Sequence, residues 1–346
     1  MSGRTSTPQR RPRSRRTRSL AALASLPLAA ALLAEPAVAS GAPTAWRAPG
    51  VVSAAPAFTF QVLDDPADPT FNQLLGINDI GRIAGYYGSG ASPKHPNRGY
   101  TISAYTGGVI WLPENYPGSA QTQVTALNDF GKQVGFWVDP AGNNAGFWVQ
   151  RGQGQTPQYH TVMDPLAAGQ TKVTQLLGMN NQGTAVGFYN DAAGNSHAFR
   201  YVLATGRYIP ITVPGATSVQ ATGINDQGTV VGTASFANRP TVSFVLSGTT
   251  MTVVAVPGAS ATSAFGINDK GQVVGTYTTG KAQHGFVWHA GRAVTVDAPG
   301  GAGTTTVNGI NNLGDLVGFY TDTAGNTIGF EAAPTYPLYA AEVPGA

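Results

Sequence analysis

Carboxylate and amide side chains that recur at one position of a repeat are the first candidates for chemistry in this sequence. The six pairs are Asn78-Asp79, Asn128-Asp129, Asn180-Asn181, Asn225-Asp226, Asn268-Asp269 and Asn311-Asn312. A ring of such carboxylates could serve acid–base catalysis or bind Ca²⁺, which prefers oxygen ligands. Two of the six pairs are Asn-Asn, a replacement that a turn tolerates better than a proton donor or a Ca²⁺ site does. The pattern therefore favours a turn.

Three histidines, His197, His284 and His289, raise the question of a transition-metal site, because neutral imidazole is a common metal ligand. No pair has H-E-x-x-H spacing, and His284 and His289, five residues apart on one strand, would point to opposite faces. The chain has no Cys, which excludes disulfides and thiolate metal sites. No Gly-rich stretch completes a dinucleotide or phosphate fingerprint, and there is no G-x-S-x-G nucleophile motif. We therefore predict no metal and no cofactor.

The Asn pairs belong to a longer phrase that recurs along the chain. Its copy at residues 266–277 reads GINDKGQVVGTY, and the first Asn returns after 50, 52, 45, 43 and 43 residues. Asn at the start of a turn can accept a hydrogen bond from a backbone N–H two residues on, and Gly takes the positive φ that closes a hairpin. The phrase predicts one β-hairpin per repeat. Its structural turn residues are Asn78, Gly81, Asn128, Gly131, Asn180, Gly183, Asn225, Gly228, Asn268, Gly271, Asn311 and Gly314.

A repeat of this length matches one blade of a β-propeller. In one repeat, residues 264–268, 272–277, 284–289 and 293–296 are rich in Val, Thr and aromatics and predict four strands. The first three strands occur six times, which predicts an all-β, six-bladed β-propeller of four-stranded antiparallel blades over residues 57–346. A fourth-strand-like segment occurs seven times, so either 58–63 or 338–343 would close the ring. The alternative is a parallel β-solenoid, which has no use for a tight hairpin between neighbouring strands.

The N-terminus has the features of a bacterial export signal. Seven Arg precede an apolar run from Leu20 to Leu33, and Ala37-Val38-Ala39 is an A-x-A cleavage signal. We predict a signal peptide over residues 1–39, with the general secretory and twin-arginine routes both open, and a linker over 40–56. No later stretch is apolar for the ~20 residues that a spanning helix needs, so we predict no membrane span in the mature chain.

The basic character of the whole chain belongs to this signal. Removing residues 1–39 takes away seven of the 20 Lys and Arg and one of the 17 Asp and Glu. The mature chain then has 13 cationic and 16 anionic side chains and a formal charge of −3. Phosphate recognition needs clustered cations on the folded part, and here they are scattered, so we predict no nucleic-acid partner.

The repeat resembles a known extracellular family. Six copies of the phrase, with HAF at residues 197–199 and HGFVW from His284, resemble the extracellular repeat called the HAF family, over residues 58–344. The resemblance implies an exported repeat protein and no particular reaction. The His of the family name is replaced in four repeats, by Arg98, Ala145, Val242 and Ile328, which argues against a shared chemical role for it.

An aromatic residue stands two positions after the last Gly of the phrase in five of the six repeats, where it could stack on a ligand. These residues are Tyr87, Trp137, Tyr189, Tyr277 and Tyr320, with Ala234 in the sixth repeat. Packing between blades explains aromatic residues at this position as well, and it is the interpretation that we favour.

The loops indicate where a ligand would bind. In an antiparallel meander, the connections from strand two to three and from strand four to the next blade lie at the same edge, and these connections are the longer ones. We predict that any binding site lies on this long-loop face. The candidate binding residues there are Asp65, Arg98, Asp164, Arg239, Lys281, His284 and Asp297. The alternative is a solvated, charged rim.

Together these features predict a secreted or periplasmic binding or scaffolding module, with an extracellular polysaccharide or protein as its ligand. The alternative is a polysaccharide lyase or glycoside hydrolase that uses a carboxylate pair, such as Asp164 and Asp297, across the propeller funnel. A third possibility is an assembly unit that associates through its edge strands.

Overall fold

The structure is a computed structural model, and it describes residues 58–105, 108–151 and 156–335. The predicted signal peptide (1–39), the predicted linker (40–56) and the candidate closing strand at 338–343 lie outside the described residues. Within the described residues the chain forms 24 β-strands and no helix. Accordingly, none of these residues belongs to a helix long and apolar enough to cross a bilayer.

The strands form six antiparallel four-stranded sheets, here called blades 1 to 6 in chain order. Blade 1 contains β2 (Asn72–Ile77), β3 (Ile83–Tyr87), β4 (Arg98–Tyr105) and β5 (Gly108–Pro113). Blade 2 contains β6 (Gln121–Leu127), β7 (Lys132–Val138), β8 (Asn144–Gln150) and β9 (Gln158–Val162). Blade 3 contains β10 (Thr174–Met179), β11 (Thr184–Asn190), β12 (Ser196–Val202) and β13 (Arg207–Pro210). Blade 4 contains β14 (Ser218–Ile224), β15 (Val230–Ser235), β16 (Val242–Ser247) and β17 (Thr250–Val254). Blade 5 contains β18 (Ala261–Ile267), β19 (Val273–Thr279), β20 (Ala282–His289) and β21 (Arg292–Val296). Blade 6 contains β22 (Thr306–Ile310), β23 (Leu316–Thr321), β24 (Thr327–Pro334) and β1 (Phe58–Val62).

The first strand of the chain closes the ring. It is the outer strand of blade 6, where Phe58 lies opposite Pro334 and Val62 opposite Phe330 in antiparallel register. The inner strand of blade 6 contacts blade 1 directly, because Asn308 Nδ2 donates to the carbonyl of Leu74 at 2.8 Å. The prediction of a six-bladed propeller is confirmed. The solenoid alternative is wrong, because neighbouring strands within every sheet are antiparallel.

Burial decreases from the axis of the propeller to its rim. Along β2 every residue is buried, whereas the outer strand β5 is mostly exposed. Inner strands are packed on both faces by the adjacent blades, so their sequences are runs of apolar residues and do not alternate between apolar and polar residues. Apolar clusters therefore join neighbouring blades. In one of them Val186 and Ala198 of blade 3 pack with Val219 and Phe244 of blade 4.

The last Gly of the phrase, Gly275 in the copy at residues 266–277, is required by a close approach of two strands. Each inner strand has a β-bulge; in blade 3 it lies between Leu176 and Gly178. Opposite this bulge, a Cβ on Gly187 would lie 1.8 Å from the carbonyl oxygen of Gln175. In blade 5, a Cβ on Gly275 would also meet the ring of Phe286 at 2.9 Å. This position must therefore lack a side chain, because the bulged strand and an aromatic ring occupy the space.

The hairpin between the first two strands has the geometry that the sequence predicts. In blade 5, Asn268 Oδ1 accepts hydrogen bonds from the N–H groups of Lys270 at 3.1 Å and Gln272 at 3.0 Å. Gly271 has a φ of 72°, a left-handed conformation that only Gly adopts without strain. The equivalent Gly has a positive φ in all six hairpins.

Replacing this turn Gly tests the backbone argument. We expect Gly271→Val to destabilise the mature chain by about 1–2 kcal/mol or more, because a Cβ is strained in the left-handed region. Gly271→Asn is the matched control and should cost less, since Asn tolerates this conformation. Thermal unfolding followed by circular dichroism measures both. Equal melting temperatures for the Val and Asn variants would contradict the assignment.

Removing the closing strand tests the ring. A chain that begins at Leu63 lacks β1, so β24 gains an unpaired edge and Phe330 loses its contact with Phe60, whose ring centroid is 5.4 Å away. We expect this chain to lose cooperative unfolding or to self-associate, whereas a control chain that begins at Pro56 unfolds like the mature protein. Calorimetry and size-exclusion chromatography distinguish these outcomes. Two indistinguishable chains would show that β1 is dispensable for closure.

Candidate functional site

The first residues of the Asn pairs form a hydrogen-bonded ring around the propeller axis. The Nδ2 of each Asn donates to the backbone carbonyl of the equivalent Asn in the next blade. Asn78 donates to Asn128 at 3.1 Å, and Asn311 closes the ring by donating to Asn78 at 3.2 Å. The four bonds between them are 2.9 to 3.5 Å long. Each Asn therefore bonds both its own turn and the next blade.

The second residues of the pairs form a concentric ring, and here the structure differs from the sequence-based expectation. Their side chains do not close their own turns. Each Oδ1 accepts the backbone N–H of the equivalent residue in the preceding blade, at 2.7 to 3.0 Å. The two amides also bridge carboxylates: Asn181 Nδ2 donates to Asp129 and Asp226, and Asn312 Nδ2 donates to Asp79 and Asp269. The ring thus joins six blades, and each of its carboxylates accepts a hydrogen bond from an amide of the ring.

The axial channel offers little room for a ligand. The bulged residues of the inner strands alternate between apolar Leu75, Leu177 and Phe265 and polar Thr125, Thr222 and Asn308. The polar three donate to carbonyls of the next blade at 2.8 to 2.9 Å. Two cavities lie along the axis, one lined by this layer and one at the rings of the Asn pairs, and each measures only about 70 Å³. Neither Asp164 nor Asp297 lines them. The carboxylates that do line the cavity at the concentric ring all accept hydrogen bonds within that ring: Asp79, Asp129, Asp226 and Asp269.

The structure disperses most of the predicted binding residues over separate blades. Asp65 is buried, and its Oδ1 accepts the N–H of Ala67 at 2.9 Å, which is a turn contact. Arg239 is exposed, and its guanidinium lies 3.5 Å from the ring centroid of Phe236. Lys281 is exposed in the turn between β19 and β20, and Arg98 is half-buried at the start of β4.

Two of the predicted residues do meet, in blade 5. His284 Nδ1 lies 2.8 Å from Asp297 Oδ2, and the imidazole stacks on Tyr277 with ring centroids 5.1 Å apart. Tyr277 is itself buried and its hydroxyl bonds Thr295, so contacts within blade 5 hold this group in place. Within residues 58–335 as described, no group of three His, Asp or Glu is arranged to hold a metal ion.

Asp164 lies in a pocket of about 220 Å³ on the long-loop face of blade 3. We call this the blade-3 pocket. It lies between the connection that enters blade 3 and the strands β11, β12 and β13. Its walls combine three aromatic rings, five apolar side chains and three polar side chains. The lining residues are Asp164, Pro165, Leu166, Tyr189, His197, Ala198, Phe199, Tyr208, Pro210, Ile211 and Thr212.

The polar groups of the blade-3 pocket influence one another. Asp164 is only 5% exposed, and its Oδ1 accepts the N–H of Leu166 at 2.9 Å. Burial raises the pKa of Asp164, and the Leu166 N–H and the nearby His197 oppose that rise. Burial also raises the pKa of Tyr189 and of Tyr208, and the Asp164 carboxylate adds to both rises. Both phenols therefore stay protonated and can donate hydrogen bonds beside this carboxylate.

A comparison of two blades explains why the pocket is open in blade 3. Thr212 stands where blade 5 has Asp297, since each directly precedes the residue whose carbonyl starts the connecting turn. In blade 3 the imidazole of His197 is instead held by Asp191, with Nε2 2.9 Å from Oδ2. A shorter side chain at position 212 and an imidazole directed to Asp191 leave the space that blade 5 fills.

Sequence reasoning noticed parts of this site separately. Asp164 was a predicted binding residue, Tyr189 belonged to the recurring aromatics, and His197 was considered as a metal ligand. Leu166 and Tyr208 carried no signal, because neither belongs to the repeated phrase. The recurring aromatics were expected to pack between blades, but several contact rings of their own blade, as Tyr277 does with His284 at 5.1 Å, and Tyr189 also lines the pocket.

Comparison with known proteins supports the fold and gives no family. No protein-family model matches the sequence, and no curated protein matches it. Among solved structures, AofleA from Arthrobotrys oligospora aligns with a TM-score of 0.50 at 10% identity, over 80% of this chain and 87% of that one. TolB from Acinetobacter baumannii aligns with a TM-score of 0.48 at 13% identity, over 74% of this chain and 64% of that one. The chain thus spans slightly less than two thirds of the length of TolB.

A third structural neighbour is Aleuria aurantia lectin, in a complex with Fucalpha1-6GlcNAc. It aligns with a TM-score of 0.45 at 10% identity, over 76% of this chain and 93% of that one. At identities this low, the similarity to these proteins concerns the fold alone. The strand topology makes the chain a six-bladed β-propeller, and its ligand has to be argued from its own side chains.

Replacing one bridging amide tests the carboxylate ring. Asn312→Asp removes the two donations to Asp79 and Asp269 and leaves five carboxylates in an unbroken run around the ring, with Asn181 as its one remaining amide. We expect a loss of about 3 kcal/mol or more at neutral pH, since each of the two lost hydrogen bonds to a charged group is worth about 1.5–3 kcal/mol and the repulsion adds to the loss. The loss should shrink at high salt, where the repulsion between the carboxylates is screened.

Chemical denaturation of the mature chain at several salt concentrations measures this effect. Asp269→Asn is the control: it keeps the acceptor for the N–H of Asp226 and adds no charge, so its stability should not fall as salt is removed. A salt-independent loss in Asn312→Asp would contradict the electrostatic account.

Proposed function

We propose that this chain is an exported saccharide-binding β-propeller and that the blade-3 pocket is its binding site. The observation that carries the proposal is the pocket itself, in which three aromatic rings, two of them phenols, converge with a carboxylate and an imidazole. Membership of the HAF repeat family and export through the N-terminal signal are parts of the same proposal. The export signal and the scattered cations of the mature chain support an extracellular ligand that is not a nucleic acid.

The pocket has the chemistry that a sugar ring requires. The C–H faces of a sugar are apolar and pack on aromatic and aliphatic walls, which Tyr208, Phe199 and Leu166 supply. Sugar hydroxyls need nearby acceptors and donors, and Asp164 and Tyr189 provide them. The volume of about 220 Å³ is several times the ~30 Å³ of one water in the liquid, so the pocket accommodates one small ring and not a folded surface.

A protein ligand fits this face less well. Stable protein interfaces have an extended apolar centre with aromatic anchors. Of the large apolar side chains that the described residues expose, only Leu166 lies in a long connection. The others lie on the outer strands β1, β5 and β17 or in the tight turns at the opposite end. A protein partner would therefore find one exposed apolar anchor on the long-loop face, and that residue already lines the pocket.

Two exposed leucines provide a matched test of the site. Leu166 is 66% exposed at the pocket, and Leu313 is 67% exposed in a tight turn at the other end of the propeller. A glycan array of the mature chain from residue 40 would identify ligands, and isothermal titration calorimetry would measure their affinities. We expect Leu166→Ala to weaken binding about three- to tenfold, from the loss of roughly 1 kcal/mol of apolar contact. Leu313→Ala should leave the affinity unchanged.

A second variant closes the pocket by design. Thr212→Asp introduces the residue that blade 5 has at this position, so the new carboxylate should occupy the space and repel Asp164. We expect binding to be lost while the melting temperature stays within a few degrees of the parent. The proposal fails if the mature chain binds no glycan on the array or in titration, or if Thr212→Asp and Leu313→Ala bind equally well.

A further inference from the structure

The charge balance of the blade-3 pocket narrows the class of sugar, and this inference rests on the saccharide-binding function proposed above. Asp164 Oδ1 is occupied by the N–H of Leu166, and Oδ2 has no hydrogen-bond partner among the described residues. The Asp164 residue is buried, with 5% of its surface exposed, and its carboxylate lines the open pocket, through which water reaches it. A desolvated anion is costly unless an opposite charge or hydrogen-bond donors meet it.

The protein does not neutralise this anion itself. The described residues that line the pocket include no Lys or Arg. His197 is the one lining residue that can become cationic, and its Nε2 is 2.9 Å from the Asp191 carboxylate. Asp191 has its pKa lowered to about 2, first by this histidine, so it stays ionised. Two carboxylates therefore share one imidazole, and the site stays negative even when His197 is protonated.

The walls favour an organic cation as well. The rings of Tyr189, Phe199 and Tyr208 line the same pocket, and aromatic faces attract ammonium groups through their quadrupoles. Tyr189 stacks on His197 with ring centroids 5.0 Å apart, which fixes the orientation of its ring beside Asp164. A neutral sugar would pack on the walls and leave the Asp164 charge uncompensated. A sugar with an ammonium group packs on the walls and also pairs with the Asp164 carboxylate.

We infer that the blade-3 pocket selects an amino sugar, whose protonated amine lies against Asp164 Oδ2 while its ring packs on the aromatic and apolar walls. The ligand class is a saccharide that carries a free amine, such as a glucosamine polymer without its acetyl groups. The same sugar with an N-acetyl group keeps the ring and its hydroxyls and loses the charge, so it provides the matched comparison.

Isothermal titration calorimetry with three oligosaccharides of equal length and linkage tests this inference. The probes are the β1–4 trimers of glucosamine, N-acetylglucosamine and glucose, titrated into the mature chain at about pH 6 and again at about pH 7, because burial raises the pKa of Asp164 above the ordinary Asp value of about 4. We expect the glucosamine trimer to bind about tenfold or more tightly than either neutral trimer. Its affinity should fall as salt is added, and that of the neutral trimers should not.

Two matched variants assign the preference to one carboxylate. Asp164→Asn keeps an acceptor for the Leu166 N–H and removes the charge. Asp65→Asn makes the same change at the equivalent turn that enters blade 1, where Oδ1 accepts the Ala67 N–H. We expect Asp164→Asn to bind the three trimers equally, and Asp65→Asn to keep the preference. If Asp164→Asn does not fold, the salt dependence of the unmodified chain still decides the question.

Different outcomes overturn different statements. Equal binding of charged and neutral trimers by the unmodified chain overturns the amino-sugar inference and leaves the saccharide-binding function intact. The control probe is Nα-acetyl-lysine amide, which has a free side-chain amine and no sugar ring. If it binds as tightly as the glucosamine trimer, the ammonium alone is recognised, and the inference is overturned in favour of a protein ligand. A chain that binds none of these probes and no glycan on the array overturns the proposed function itself.

Discussion

Closure of the ring is the constraint on which the rest of this structure depends. In each tight hairpin the backbone N–H after the Asn finds its acceptor on the next blade and not in its own turn. The Asn side chain likewise sends its Nδ2 to the next blade, and the last blade returns both bonds to the first. A buried backbone N–H without an acceptor costs about 1–3 kcal/mol. Each hairpin is therefore fully bonded only when all six blades are present.

The repeated phrase predicted the fold because most of its positions are fixed by local geometry. The turn Asn and Gly specify a hairpin wherever they occur, and six hairpins at blade spacing specify the architecture. The hydrogen bonds between blades could not be predicted from the sequence, because the spacing does not indicate which atom of Asp269 or Asn312 faces the neighbouring blade. The sequence also left the choice between the two closing segments open, because both have a strand-like composition. In the structure β1 pairs with β24.

The blade-3 pocket was beyond the sequence for a different reason. It arises from departures from the repeat and not from the repeat itself. Thr212 is shorter than its counterpart Asp297, Asp191 draws His197 away, and Tyr208 supplies a wall from an outer strand. Selecting charged residues on the long-loop face found Asp164 and also Arg239 and Lys281, which the structure leaves exposed. A binding site needs walls as well as charges, and the walls come from residues outside the phrase. The inner strands cannot vary in this way, because their side chains close the channel.

The two Asn-Asn pairs show how much position adds to residue type. In the sequence they suggested that Asp and Asn are interchangeable in a turn. In the ring they lie three blades apart, at Asn181 and Asn312, with two carboxylates between them on each side. Two amides can be placed in a six-membered ring in three ways: adjacent, one apart or opposite. Only the opposite arrangement gives each of the four carboxylates one amide neighbour, and each carboxylate does accept an Nδ2–H at 2.8 to 3.0 Å. The ring therefore holds four negative charges around one axis because the amides separate them into pairs, and moving either amide would leave at least one carboxylate with carboxylates on both sides.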